Sequence, residues 1–195
     1  MLAEEVIVIA QILLMLLLAG SAASQEPVPA GKPDATKEFQ DRVKDYFGLR
    51  KQVQKANPPP KDSATPEEIA KHRATVGAAI AKARSSAKQG DIFFPPIAAH
   101  IRAVVRDHLR GRAGAGAREK ANEGNPTVEG GPEPVTLKVN ALYPDSAPVS
   151  SVPPKLLRKL PALPDELQYR FVGRHLILLD ATASIIVDYM RNVMP

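Results

Sequence analysis

Between Leu163 and Met190 the chain reads LPDELQYRFVGRHLILLDATASIIVDYM, an apolar stretch punctuated at Gly173-Arg174 and at Asp180-Ala181-Thr182-Ala183. Short runs rich in β-branched and aromatic residues, bounded by turn formers, read as strands, and a two-residue break led by glycine reads as a hairpin turn. Three short strands joined by two tight turns are therefore expected here. The upstream chain carries helical or irregular patterning, so the fold class expected is α+β: an N-terminal three-helix unit followed by a small antiparallel β-sheet, a C-terminal meander.

The helical half begins at Asp34, a candidate N-cap. Phe39, Val43, Tyr46, Phe47 and Val53 follow at spacings that place them on one buried face, and Pro58-Pro59-Pro60 stops the helix. A second helix is expected from Thr65, with a capping hydroxyl, Pro66 at the first helical position and Glu67 and Glu68 in the first turn. Its inward face is read as Ile69, Val76, Ile80, Ala83 and Ala87. GDIFFPP, residues 90–96, then interrupts the pattern, and its two Phe are expected to plug the core at a bend. A third helix, Ile97 to Arg110, turns Ile101, Val104, Val105 and Leu109 inward and ends at Gly111.

Beyond it, residues 111–134 are glycine-rich and read as a flexible linker that begins as a helical extension. Residues 135–195 form the small β-rich unit. Within it Val135, Leu137 and Val139 suit one face of a strand across Pro134 to Pro144. SVPPKLLRKLPALP suits one helical turn, with Leu156, Leu157 and Leu160 against the sheet. The domain plan is thus 34–110 helical, 111–134 linker and 135–195 β-rich.

Residues 1–24 have the layout of a secretory signal peptide, with an apolar run from Val6 to Leu18 followed by small residues, and cleavage is expected between Ser24 and Gln25. The segment carries Glu4 and Glu5 where such a leader usually carries Lys or Arg. The alternative is an N-terminal anchor in the inner membrane, although the apolar run is shorter than the roughly 20 residues a span needs. Residues 25–33 form a Pro-containing linker. Losing the leader raises the formal net charge from +5 to +7, because it holds two acidic and no basic residues. The surplus is uneven: residues 34–120 hold 18 Lys and Arg against 10 Asp and Glu, and residues 121–195 hold 7 against 8. A periplasmic or secreted location is expected, with the membrane touched only through the leader.

The absence of Cys excludes disulfides, thiolate chemistry and Cys-based metal centres. His72, His100, His108 and His175 form no HxxxH or HExxH spacing. His100 and His108 are two turns apart on one expected helix with Val104 between them, so no metal site is assigned. No GxSxG elbow is present, and the glycines of residues 111–116 follow no strand, so they are not a phosphate loop. Neither a catalytic residue nor a cofactor is assigned. Arg170, Arg174, His175 and Asp188 stand out as polar groups set into the apolar C-terminal frame and are the candidate binding residues. A cross-strand pair of Asp188 with Arg170 or Arg174 is expected.

The blocks EFQDRV, QGDIFFP, VNALYP and YRFVGRHLILLDATASIIVD, taken in this order, resemble a group of uncharacterised exported bacterial proteins, and the likeness covers Phe39 to Asp188. It implies export and no particular activity. Tyr169 to Val187 is more loosely similar to the C-terminal hairpin of periplasmic RcnB-type proteins, which implies nickel and cobalt homeostasis as an alternative role, though no metal ligand carries over. The expected function is a non-enzymatic interaction protein of the periplasm or cell envelope, with an enzyme of unknown class as a further alternative. Its expected partner is an envelope protein or an anionic envelope component. Nucleic acid is not expected, because export separates the two and no aromatic residues are interleaved with the basic ones.

Overall fold

Asp34 opens the first helix by accepting a 2.9 Å hydrogen bond from the Thr36 N–H. The computed structural model describes residues 34–129 and 134–195. The expected leader and the linker at 25–33 lie outside the described residues. Helix α1, Ala35–Ala56, runs unbroken through Gly48 and buries Phe39, Val43, Tyr46 and Arg50. Helix α2, Pro66–Ala83, starts with a complete capping box between Thr65 and Glu68 and buries Val76, Gly77 and Ile80. Ile69 is 44% exposed, and the helix stops before Ala87, so the buried face is shorter than its periodicity suggests. Helix α3, Pro95–Leu109, takes both prolines into its first turn and buries Ile97, Ala98, Ile101, Val105 and Leu109.

The bend before α3 plugs the core as its sequence suggests. Phe93 stacks between Phe39 of α1 and Tyr169, with ring centroids 6.1 and 6.3 Å apart. One aromatic column therefore ties the first helix, the bend and the sheet together.

The sheet comprises β1 (Leu167–Val172), β2 (His175–Asp180) and β3 (Ile185–Met190) in the order β1-β2-β3, antiparallel throughout. Gly173 has φ +58° at the first position of the two-residue β1–β2 turn. A register shift between Leu178 and Leu179 puts a bulge in β3. As a result Val187 contacts the helical side although its neighbour Asp188 also points there. The inner face, with Tyr169, Phe171, Leu176 and Leu178, packs on the helices in one continuous core. Each fully buried aliphatic or aromatic side chain there is worth roughly 1.5–3 kcal/mol, more than a typical exposed ion pair.

On the outer face, Ile177, Leu179, Ile186 and Tyr189 are covered by Tyr143, Ala147 and the flanking Val135, Leu137 and Val139. The strand expected from Pro134 to Pro144 is reduced to a single bridge, Leu142 with Ile185. Asn140 adopts φ +64°, which breaks the extended run. Its N–H still donates to Ile186 O at 2.8 Å, and Tyr143 N–H donates to Ser184 O at 2.7 Å.

Within the stretch expected to be a linker, residues 111–129 pack onto the rest of the fold, while 130–133 lie outside the described residues. The former contribute α4 (Ala115–Asn122) and the short α5 (Pro126–Glu129), and Ala121 enters the common core. Buried Asn125 grips the β1–β2 turn, donating to Gly173 O at 3.0 Å and accepting from Gly173 N–H at 2.7 Å. Helices and sheet thus share one core, and the described residues group as one unit. Helix α6, Pro154–Leu157, buries Leu156 and, just beyond its end, Leu160, whereas Leu157 is 48% exposed.

Candidate functional site

Two buried aspartates are the groups most suggestive of chemistry, and both are occupied internally. Asp180, fully buried, accepts from Tyr46 Oη and Arg50 Nε, each at 2.7 Å, through Oδ2. Its Oδ1 takes the N–H groups of Thr182 and Ala183 at 3.0 Å and so shapes the β2–β3 turn. Burial, together with the charge of Asp180, pushes the Tyr46 phenol far up, so it stays a donor. Asp188 accepts from the backbone N–H groups of Gly90, Ile92 and Phe93 at 2.8–3.0 Å and from its own neighbour Tyr189 at 2.8 Å. Burial raises the Asp188 pKa, and those four N–H groups oppose the rise. The pair expected with Arg170 or Arg174 does not form, because the bulge turns Asp188 inward, away from both arginines.

The remaining polar residues of the hairpin do not converge. Arg174 sits at the β1–β2 turn and donates through Nε and Nη2 to Met194 O, while its own carbonyl accepts from Val193 and Met194 N–H. His175 Nδ1 accepts from Asn192 N–H at 3.0 Å. These two residues fasten the C-terminal segment. Burial is the leading cause lowering the His175 pKa, followed by Arg191 and Arg174. Arg170 lies half-buried on the outer side of β1, with Nη2 on Gln168 Oε1 at 2.6 Å and its buried Nε unpartnered. Burial lowers its pKa. The four candidate residues therefore form no common site.

A different group of side chains does come together. A cleft of about 740 Å³ opens between the C-terminal end of α3, the start of α4 and the turn of α6. Arg110, Lys120, Lys155, Arg158 and Lys159 line it, against the single carboxylate of Asp107. Lys120 is paired with Glu123 at 2.9 Å, and Asp107 lies 4.0 Å from Arg106. Arg110, Lys155, Arg158 and Lys159 have no carboxylate partner among the described residues. Low-lying walls of Pro153, Pro154, Gly114 and Ala117 complete the lining. His108 stands in the same cleft, its pKa lowered first by burial and then by Lys159 and Lys155.

Charge composition alone did not identify this cleft, since three of its cations come from the half of the chain that is neutral overall. A local signal existed. Lys155, Arg158 and Lys159 fall at i, i+3 and i+4, opposite Leu156 and Leu160, which is one cationic face of a helical turn. Among the described residues, no three of His, Asp and Glu gather as metal ligands, and no helix is long and apolar enough to cross a membrane. No family model matches this chain, and no curated protein and no solved structure matches it significantly.

Proposed function

We propose that this chain is an exported protein of the periplasm or cell envelope that acts by contact rather than by catalysis, with the cationic cleft as its contact surface. The leader-like layout of residues 1–24 and the resemblance of its sequence blocks to exported bacterial proteins support the compartment. The observation that carries the contact reading is the way charge is used. Asp180 and Asp188 are satisfied by internal donors, whereas four cations around one cleft lack a carboxylate partner among the described residues. A concave surface of one sign attracts and concentrates partners of the other, so an anionic envelope component is the partner favoured.

The test uses the full chain with a C-terminal tag, expressed in a bacterial host, fractionated and analysed by mass spectrometry. Recovery with the envelope or periplasm and an N-terminus at Gln25 are expected. Recovery in the cytosol with Met1 retained would overturn the assignment of compartment.

A further inference from the structure

Resting on the reading of the cleft as the contact surface, we propose that its ligand is an oligophosphate, a compact molecule or headgroup carrying at least two phosphate groups. A terminal or monoester phosphate group carries about −1.5 to −2 charges and three acceptor oxygens. Two such groups therefore neutralise the four uncompensated cations within about 740 Å³, where carboxylates would have to be twice as many. Arg110 and Arg158 offer planar forks suited to two-point contact with phosphate oxygens, and Lys155 and Lys159 add point charges.

The lining also says what is not recognised. Phe, Tyr and Trp are absent from it, so a nucleobase finds no stacking platform, and selectivity must come from charge and hydrogen bonding. His108 gives the cleft a proton-linked element. It shares the lining with Asp107 on its own helix, Arg110 just past that helix's end, Lys120 on α4 and the three cations of the α6 turn. Burial, and after it Lys159 and Lys155, hold the His108 pKa below its ordinary value; an anion seated among those cations offsets their share, so binding favours proton uptake at His108.

The experiment titrates the full-length protein with tripolyphosphate, with citrate as the carboxylate control, and with vesicles containing lipid A, which carries two phosphate monoesters, as the lipid source of paired phosphates. Two variants separate binding from folding. Lys155→Glu/Lys159→Glu changes exposed side chains only. Gly116→Asp places a carboxylate on the cleft in the first turn of α4, where its Cβ meets nothing within 4 Å and an acidic residue favours the helix. Its melting temperature should therefore hold or rise while binding falls.

We expect tripolyphosphate to bind at least about tenfold tighter than citrate, and both variants to weaken it by about tenfold or more. The vesicle arm assigns the source: retention on vesicles that tripolyphosphate competes away indicates a headgroup, and binding of tripolyphosphate alone indicates a soluble ligand. Equal affinity for citrate, or undiminished binding by both variants, overturns the oligophosphate assignment. If tripolyphosphate fails but the variants still abolish retention on isolated envelope, the ligand class is wrong and the contact reading stands. If the variants change neither, both fall.

Discussion

Tyr46 and Asp180 lie 134 positions apart and meet at 2.7 Å in the core, where the phenol donates to the same carboxylate oxygen that takes Arg50 Nε. This arrangement fastens α1 to the β2–β3 turn. Arg50 and Asp180 are 3% and 0% exposed, so removing the carboxylate leaves a buried guanidinium with only the part-exposed Glu166, 3.6 Å from its Nη1, as counter-charge. Asp180→Ala should cost about 3–5 kcal/mol in urea unfolding, and Tyr46→Phe about 2 kcal/mol. A loss of less than 1 kcal/mol for Asp180→Ala would mean that water reaches the pair.

Asp188 organises the bend that carries Phe93. Asp188→Asn replaces one acceptor oxygen with a donor that faces the backbone N–H groups of Ile92 and Phe93. We expect a destabilisation of about 1–3 kcal/mol at neutral pH and faster amide exchange at those two residues. In the native protein the carboxyl should titrate above the ordinary aspartate value of 3.8, and a pH titration followed by NMR checks this. With the native pKa raised, the folded state holds the proton more tightly. The group's stabilising contribution is present below pH 3.8 and is lost as pH rises through the native pKa. A midpoint below 3.8 would show the four N–H groups outweighing burial.

Gly173 and Gly48 should respond to alanine with opposite signs. At Gly173, φ is +58° and an added Cβ would lie 3.0 Å from Thr127 Oγ1, so Gly173→Ala should lose about 1–2 kcal/mol. Gly48 is exposed within α1 with nothing within 4 Å of an added Cβ, and Gly48→Ala should gain about 0.5–1 kcal/mol. Thermal unfolding of the two variants checks both.

His108 makes the cleft sensitive to pH. Its pKa is lowered in the fold, so the imidazole is neutral in both states above the unfolded value of 6.5 and makes no difference there. As pH falls below 6.5 the unfolded chain takes up the proton first and stability declines, until the native histidine also protonates. His108→Gln should flatten that decline. Tripolyphosphate should raise the His108 midpoint in an NMR titration; no movement of the midpoint would place the anion elsewhere.

The parts of the fold that could be read from the residues are those set by local pattern. The three strands and both turns follow from short apolar runs and from Gly173, and the capping box follows from Thr65 and Glu68. Amphipathic spacing overstated burial at Ile69 and Leu157, because periodicity marks a face and not how far the neighbouring element extends over it. The role of Asp188 was not legible, since its partners are backbone N–H groups 95–98 positions away and carry no residue signature. Asn140 in the left-handed region is what turned an expected strand into a bridge. The cleft is absent from the residues singled out in the sequence, although the spacing of Lys155, Arg158 and Lys159 carries a signal for half of it. Its other half depends on α3 and α4 packing beside that turn, a non-local relationship that no stretch of sequence displays.

The measurement that bears most closely on function compares retention of the wild-type chain and of Lys155→Glu/Arg158→Glu/Lys159→Glu on isolated bacterial envelope at low and physiological salt. All three side chains are exposed, so the melting temperature should be unchanged. We expect wild-type retention that weakens with salt, and a loss of about tenfold or more in the variant. Retention of the variant at the wild-type level would contradict a role for the cleft as the contact surface.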